Sequence, residues 1–385
     1  MRILFISNAI FGESPGLSGG ETRFIEIAKS WARNGHEIHL MSSKWGKILC
    51  DNLGLEVVFH NISNARKVGR ITFILRALKA LFFLPKSLRN FKEGVVYSAN
   101  EMIFDVIPAL RMKLNNRKGI RWTTVVHWLP PAPWIRKKST FFDATLFFIS
   151  ERISIWLSNW FADALLPVSL MTAKQLSNAG INVKKVHPVE CGVNYVEIRN
   201  IACGVKEKKH DAVFMKRLQA VKGIFDLIEI WEMVVSAKPD AKLLVIGEGP
   251  DHQKTQRIVK EKGLDNNVEF TGAIYDFEEK IKKIAESRLF LLPSYEENWA
   301  IVIGEAMAAG VPVISYGLKE LVDVWKNNFI QIPVGDKVVF AKNIINLIDA
   351  PATLKDISQR SIQYVKRYDW RAIAEKELRI IRGGA

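Results

Sequence analysis

Three carboxylates in one short stretch are the residues of this chain best suited to chemistry. Glu296 and Glu297 stand in a polar turn, and Glu305 follows in a run that is otherwise mostly apolar or small. A carboxylate inside a buried helix is costly unless it has a partner. At about 1.5 Å of rise per helical residue, Glu297 and Glu305 are expected roughly 10–12 Å apart, near the separation of the two sugar rings in a nucleotide-diphospho-sugar. Spacing alone leaves open the alternative that Glu305 caps a neighbouring loop and that the other acids are solvated.

The flanking pattern predicts the elements that position these acids. The apolar run at 289–293 is typical of a buried strand, 299–309 of a helix ending at Gly310, and 311–315 of the next strand. In open parallel sheets, ligands bind at the carboxyl ends of strands. The turn that carries Glu296 and Glu297 is therefore predicted to lie at a ligand-binding edge.

Polar and glycine residues mark other predicted strand ends. Gly19 and Gly20 precede a helical pattern, where bare backbone N–H groups suit a phosphate, although a glycine pair is more often only a turn. His127 closes a predicted strand at 122–127 and is either a site residue or a hydrogen-bonded structural histidine.

In the second half of the chain, two cations stand at a predicted βα junction. Arg217 and Lys222 suit a diphosphate there, and a pair of surface charges is the alternative. Gly247 ends the following strand and permits close backbone approach by a ligand.

Length and pattern predict two domains. The chain has 385 residues, and two series of alternating strands and helices are separated by a linker-like stretch at 191–209. We expect an α/β protein with two doubly wound, Rossmann-like domains facing across a cleft. The predicted bounds are 1–195, 206–366 and a C-terminal helix at 367–385 that crosses back to the first domain. Further strands are expected at 94–99, 164–168, 186–189, 211–215, 242–246, 268–270 and 329–332.

The positive charge of the chain is concentrated in its first half. Residues 1–190 hold 26 basic and 13 acidic side chains, a balance of +13, whereas residues 191–385 hold 29 and 27, a balance of +2. This asymmetry predicts an anionic partner for the first half: a phospholipid surface, a lipid phosphate or nucleic acid. Nucleic acid is disfavoured because the charges alternate with long apolar runs and no recognised binding motif is present.

The stretch 66–92 carries eight basic residues and no acid among aliphatic and phenylalanine residues. Such a pattern is typical of an interfacial membrane helix, with an ordinary packing helix as the alternative. A second aromatic patch lies at 134–161. The predicted membrane or acceptor surface consists of Arg76, Lys79, Phe82, Phe83, Lys86 and Arg89.

Three scattered cysteines, Cys50, Cys191 and Cys203, show no metal or disulfide spacing and favour a reducing compartment. No run approaches the roughly 18 uncharged apolar residues of a membrane span, and the N-terminus is read as a strand rather than a signal peptide. The expected location is the cytoplasm, peripheral on the inner face of the membrane.

Several motifs, in this order and spacing, resemble the family-4 retaining glycosyltransferases of the GT-B fold. Glu297 and Glu305 have the spacing of that family's EX7E signature. The other matching pieces cover nearly the whole chain and are GGETR, VVHW, ECGVN, MKRLQAVKG, LLVIGEGP, VEFTG and the surrounding EENWAIVIGEAMAAGVPVIS.

The resemblance implies a nucleotide-sugar-binding second domain and an acceptor-binding first domain. Arg217 and Lys222 would neutralise the donor diphosphate, which Gly20, preceded by Gly19, would approach from the other domain. Glu305 would bind the ribose hydroxyls and Glu297 hydroxyls of the transferred sugar. His127 would lie beside that sugar near the reacting centre. Further donor-binding positions are Gly247 and the backbone N–H groups of Asn298, Trp299 and Ala300.

Two departures bear on this assignment. The family often has Gly-Phe-Gly where this chain has Asn298-Trp299-Ala300, and loss of both glycines limits backbone freedom. Asn194 stands where an aspartate is common. Both changes indicate a divergent donor pocket.

The expected activity is transfer of a hexosyl group from a nucleotide-diphospho-sugar to a lipid-linked acceptor, with retention of configuration. The chain has no DxD sequence, so no metal and no cofactor is expected. The alternatives are a glycosyltransferase with a soluble acceptor, a nucleotide-sugar epimerase, an inactive sugar-binding scaffold and, less favoured, a basic nucleic-acid-binding protein.

Overall fold

The computed structural model describes residues 1–8, 19–64, 71, 74, 75, 78, 79, 82–130, 132–135 and 141–383. The chain divides into two compact units. One consists of Met1–Cys191 together with Trp370–Ala385, and the other of Gly192–Asp369. Each unit has its own sheet and its own core.

The first unit is built on a parallel sheet whose described strands pair in the order β3-β2-β1-β4-β5-β6. The order reverses between β1 and β4, and ligands of doubly wound sheets bind at such a reversal, outside the carboxyl ends of the strands. Its strands are β1 (Arg2–Ser7), β2 (Glu37–Ser43), β3 (Val58–Ser63), β4 (Gly94–Ser98), β5 (Ile120–Val126) and β6 (Ala164–Pro167), and its helices are α1 (Gly19–Arg33), α2 (Lys44–Asn52), α3 (Ile103–Asn115), α4 (Phe141–Phe161) and α5 (Leu170–Asn178).

The second unit repeats this plan with the order β12-β11-β10-β7-β8-β9 and reverses between β10 and β7. Its strands are β7 (His210–Met215), β8 (Leu243–Ile246), β9 (Val268–Gly272), β10 (Ser287–Leu292), β11 (Val313–Tyr316) and β12 (Ile330–Ile332). Its helices are α6 (Tyr195–Cys203), α7 (Ile224–Ala237), α8 (His252–Glu261), α9 (Phe277–Ala285), α10 (Ile301–Ala308), α11 (Lys319–Trp325), α12 (Lys337–Ile348) and α13 (Pro351–Val365).

After the second unit, the chain returns to the first as helix α14 (Trp370–Arg382). Its Glu377 forms a fully buried ion pair with Arg23 of α1. Tyr97 of β4 completes the cluster, because its hydroxyl accepts from Arg23 Nη1 at 2.8 Å and donates to Glu377 Oε2 at 2.8 Å. Nearby, Trp31 Nε1 donates to the carbonyl of Ala374 at 2.9 Å.

Helix α4 has its polar face turned inward. Its buried residues include Ser150, Glu151, Ser154 and Ser158, whereas its exposed side chains are large and apolar. That is the reverse of the usual surface helix of a globular protein, which buries an apolar stripe. The exposed set comprises Phe141, Phe142, Ile149, Ile153, Trp156 and Trp160.

The predicted fold class, with two doubly wound parallel sheets, is confirmed, and three local predictions are wrong. Residues 186–189 form a single bridge, from Leu165 to Val186, instead of a strand. The stretch expected to be a linker contains helix α6, which belongs to the second unit. Helix α10 begins at Ile301, so Trp299 lies before it.

Candidate active site

In the second unit, the turn after β10 places Glu297 between two lysines. Glu297 is almost wholly buried, its Oε2 lies 2.9 Å from Lys216 Nζ, and its Oε1 lies 3.1 Å from Lys222 Nζ. Ser294 Oγ donates to Oε1 at 3.0 Å. Burial opposes ionisation of Glu297, but Lys216 and Lys222 outweigh it and hold the pKa of the carboxyl below its ordinary value. The result is an ionised carboxylate fixed at the strand reversal.

Glycines bring the lysines to that carboxylate. Gly223 has a φ of +76°, and a Cβ built on it would lie 1.7 Å from the carbonyl oxygen of Pro293, so only glycine lets the Lys222 turn approach the end of β10. A Cβ on Gly247 would lie 2.0 Å from the carbonyl of Lys216. The close approach of the Lys216 backbone is therefore enough to require a glycine at position 247. The sequence analysis had attributed this glycine to the approach of a ligand.

Of the two residues before α10, Ala300 has a strained backbone and Trp299 packs against another aromatic ring. Ala300 has a φ of +53°, the left-handed region that glycine favours. Trp299 is buried against Trp325, whose Nε1 donates to the Trp299 carbonyl at 3.0 Å. The alanine thus keeps a backbone conformation that a glycine would adopt without cost. Asn298, directly after Glu297, is partly exposed.

Glu305 has the partner that a buried acid requires. It is 7% exposed, and Lys280 Nζ of α9 lies 2.7 Å from its Oε1. The separation predicted for Glu297 and Glu305 does not follow, because it assumed one continuous helix and Glu297 precedes α10 by four residues. Lys216 and Lys280 were not among the predicted site residues; the position of Lys216 directly after β7 is the one signal that could have singled it out.

Arg217, also after β7, is exposed to solvent. The second unit therefore brings together Lys216, Lys222 and Glu297 as one cluster and Lys280 with Glu305 as another, with Arg217 at the surface.

In the first unit, the structure brings Gly20 and His127 together. Helix α1 begins at Gly19, and a Cβ built on Gly20 would lie 3.3 Å from His127 Nε2. His127 follows β5, and its Nε2 donates to the carbonyl of Ala99 at 3.0 Å. Burial and, second, the charge of Arg23 lower the pKa of His127 to about 4. At neutral pH the ring is therefore uncharged and carries its proton on Nε2, an arrangement suited to orienting a substrate.

Glu101 supports the same turn, and the sequence analysis missed it. Its Oε2 accepts from the backbone N–H of His127 at 3.0 Å, and its Oε1 from that of Trp128 at 3.3 Å. The available signal was its position just beyond β4, beside the strand reversal of the first sheet.

Comparisons with known proteins agree with this architecture. A family model described as Glycosyltransferase Family 4 matches residues 17–196, and one described as Glycosyl transferases group 1 matches residues 200–364. Anabaena HepE, solved in complex with UDP and glucose, superposes with a TM-score of 0.73 at 18% identity, covering 99% of each chain. The chain belongs to the family-4 glycosyltransferases of the GT-B fold.

Two sequence relatives of this glycosyltransferase match over less than half of the chain. The N-acetyl-alpha-D-glucosaminyl L-malate synthase of Bacillus anthracis is 28% identical over 42% of this chain and 42% of that enzyme. The phosphatidyl-myo-inositol mannosyltransferase of Mycobacterium leprae is 26% identical over 41% of this chain and 42% of its own length. The chain thus spans less than half the length of these curated relatives.

The predicted membrane surface of the glycosyltransferase is partly described. Lys79, Phe82, Phe83, Lys86 and Arg89 are all exposed, and Phe82 is exposed over 80% of its surface. Arg76 lies outside the described residues.

Within the described ranges, no helix of this glycosyltransferase is long and apolar enough to cross a membrane. The same residues include no group of three or more histidine, cysteine, aspartate or glutamate side chains able to hold a metal ion.

Proposed function

We propose that this glycosyltransferase is a retaining hexosyltransferase that moves a sugar from a nucleotide-diphospho-sugar to a hydroxyl of a lipid-linked acceptor. The observation that carries the proposal is the pair Glu297 and Glu305. Both are buried, both are paired with lysines, and both lie in the one β10-α10-β11 unit that follows the strand reversal. Buried carboxyl groups held by lysines at such an edge are suited to accept hydrogen bonds from sugar hydroxyls.

The proposed chemistry separates charge. As the glycosidic bond breaks, an oxocarbenium-like sugar parts from a nucleoside diphosphate, and fixed cations stabilise the departing phosphate. Lys222 and Arg217 supply that positive charge. Lys216 keeps Glu297 ionised, so that Lys222 can also contact the donor. Glu305 holds the ribose and Glu297 the transferred sugar. The leaving phosphate takes the proton of the acceptor hydroxyl on the same face of the sugar, and this gives retention.

In this scheme, His127 orients the sugar instead of acting as a base. Its Nε2 proton is engaged by the Ala99 carbonyl, and its lowered pKa keeps it uncharged at neutral pH. Gly20, packed against its ring, leaves room for the donor phosphates near the start of α1. The proposal assigns no metal or cofactor to the reaction, because Lys222 and Arg217 supply the positive charge that the departing diphosphate needs.

A lipid-linked acceptor is favoured by the outward apolar face of α4 and by the exposed side chains around Phe82. Large exposed apolar patches on soluble proteins mark interaction sites. The surplus of positive charge in residues 1–190 fits an anionic leaflet, which on the cytoplasmic side attracts basic surfaces. Among the relatives, one is named as a mannosyltransferase of phosphatidyl-myo-inositol, a lipid. The proposed location is accordingly peripheral, on the inner face of the membrane.

A thermal-shift panel of nucleoside diphosphates and their sugars tests the donor assignment. One nucleotide-sugar should raise the melting temperature of the wild type and leave that of Glu305→Ala unchanged. Sugar transfer from that donor to a lipid extract, followed by mass spectrometry, then tests the reaction. Transfer only to water-soluble acceptors would favour the soluble-acceptor alternative, and conversion of the donor into an isomer would favour an epimerase.

A further inference from the structure

Two buried carboxyl groups lie beneath the His127 turn. Glu101 is 8% exposed and Glu151, on the inward face of α4, is 2% exposed. Among the residues that the structure describes, neither forms an ion pair, and both carboxyl oxygens of Glu151 lack a hydrogen-bond partner. An unpartnered buried carboxyl costs stability and calls for a functional explanation.

The geometry of α4 places Glu151 at the height of His127. Ser158 Oγ lies 3.4 Å from Thr124 Oγ1 of β5. Helix α4 runs antiparallel to that strand, because it connects β5 to its parallel neighbour β6. Seven residues back along the helix cover about 10.5 Å, and three residues forward along the strand cover about 10 Å. Glu151 therefore lies level with His127, the residue that Glu101 supports.

The two acids influence each other's protonation. Burial, followed by the charges of Glu101 and Asp105, raises the pKa of Glu151 to about 10. Burial also raises the pKa of Glu101 to about 7. The hydrogen bonds that it accepts from the backbone N–H groups of His127, Glu101 itself and Trp128 lower the pKa, but burial outweighs them. Among the described residues, the charge of Asp105 of α3 also acts on Glu151, and the Asp105 carboxylate accepts from the Asn8 N–H at 2.7 Å. The charge of Arg23 acts on the neighbouring His127 ring, which is uncharged. At neutral to mildly alkaline pH the pair therefore holds at most one negative charge, on Glu101.

We propose that Glu101 is a positioning residue for sugar transfer, which fixes the His127 turn through its ionised carboxylate, and that Glu151 is the neutral acid that preserves this arrangement. The proposal rests on the proposed function, in which His127 orients the transferred sugar. An ionised Glu101 can accept from both backbone N–H groups of the turn, whereas a protonated one turns a donor toward one of them. Ionisation of Glu151 would place a second negative charge beside the first and displace Glu101 from the turn.

The test is the pH profile of kcat and of the donor KM in Glu101→Gln and Glu151→Gln. In the wild type, kcat should rise as the pH passes about 7 and fall again at alkaline pH. Glu101→Gln should lower kcat about tenfold or more and remove the acid limb, while the donor KM changes much less, because Arg217, Lys222, Glu297 and Glu305, which hold most of the donor in the proposed function, lie in the second unit. Glu151→Gln keeps a neutral side chain, so kcat at neutral pH should stay within about twofold while the alkaline limb disappears.

A second measurement tests the role of Glu101 without relying on sugar transfer. The 15N NMR signals of the His127 ring report its tautomer and hydrogen bond without any substrate. Glu101→Gln should shift them, and Glu101→Asp, which retains a carboxylate, should restore them in part. An unchanged His127 signal in Glu101→Gln, or a wild-type alkaline limb in Glu151→Gln, would overturn the proposal. Absence of transfer in the wild type together with a shifted His127 signal would instead contradict the proposed function alone.

Discussion

Lys222 serves two anions in the proposed reaction: Glu297, which it contacts, and the donor diphosphate. In the same proposal, Glu305 binds the ribose hydroxyls in addition to Lys280, which it contacts through Oε1. We therefore expect Lys222→Ala and Glu305→Ala each to cost at least about 2 kcal/mol of transition-state stabilisation, close to thirtyfold in kcat/KM. Steady-state kinetics with the donor found in the thermal-shift panel measure this loss.

The matched control for these two variants is Lys282→Ala. Lys282 belongs to α9 like Lys280, but it is exposed and pairs with Glu278, one turn earlier in the same helix. Its removal should leave kcat/KM within about twofold, since exposed pairs of this kind contribute little. Wild-type turnover in Lys222→Ala and Glu305→Ala would contradict the donor-site assignment.

Ala300 carries a strain that a single substitution can relieve. A left-handed conformation costs a residue with a Cβ about 1–2 kcal/mol, and glycine loses part of that gain through its more flexible unfolded chain. Ala300→Gly should therefore raise the free energy of unfolding by roughly 0.5 kcal/mol. Urea denaturation followed by circular dichroism measures it. Ala350→Gly, at a φ of −119°, is the control and should lower stability; the same sign for both variants would refute the strain assignment.

The sequence predicted which charged residues lie at strand ends, but it did not predict which residues they pair with. It required a partner for Glu305 because an acid among apolar residues is costly, but it could not name Lys280, which comes from a different βα unit. Glu297 was assigned to a ligand, whereas Lys216 and Lys222 already hold it in this structure. Pairings of this kind depend on how neighbouring strands and helices align in space, which residue spacing does not report.

At the scale of elements, α4 and the basic stretch before β4 determine membrane attachment in our proposal. Each basic residue near an anionic leaflet is worth about 1 kcal/mol, so four of them supply roughly 4 kcal/mol. Co-sedimentation with anionic liposomes should therefore be strong at low salt and weaken with added salt. Liposome binding should drop when Arg76, Lys79, Lys86 and Arg89 are changed together to glutamate. It should also drop when Trp156 and Trp160 are both changed to glutamate.

The control for the charge reversal changes the same number of exposed lysines in the second unit. These lysines are Lys260, Lys282, Lys342 and Lys355. Because this variant has the same net charge as the first-unit variant, retained binding would locate the effect in the first unit. If the wild type stays in the supernatant with anionic vesicles at low salt, the membrane proposal is wrong.

The start of α10 shows where element prediction failed and why. Apolar periodicity extends back to Trp299, so the pattern predicted a helix from that residue. In the structure, Trp299 instead packs on Trp325, and Ala300 adopts a left-handed backbone conformation before the helix begins at Ile301.

Strand β3 was missed because Val58–Ser63 mixes apolar and polar residues at the sheet edge. Tertiary packing in the first case and edge position in the second outweighed the local pattern.

For the whole molecule, the doubly wound plan could be predicted because strands and helices alternate through both halves of the chain. The stereochemistry of transfer remains a prediction at this scale. Proton NMR of the product should show the anomeric configuration of the donor, and transfer should survive EDTA because the lysines at the strand reversal supply the positive charge. An inverted product would contradict the proposed mechanism, and complete loss of activity in EDTA would contradict its independence of metal.

The return of α14 to the first unit has a consequence for synthesis on the ribosome. Arg23 is translated 354 residues before Glu377, its buried partner. At 5–20 residues per second, residues 192–369 take roughly ten to forty seconds to make. During that interval the nascent first unit still lacks its closing helix, α14. The first unit, although it is encoded first, thus completes its fold only after the whole second unit has been translated, and until then it depends on chaperones or on its own partial structure.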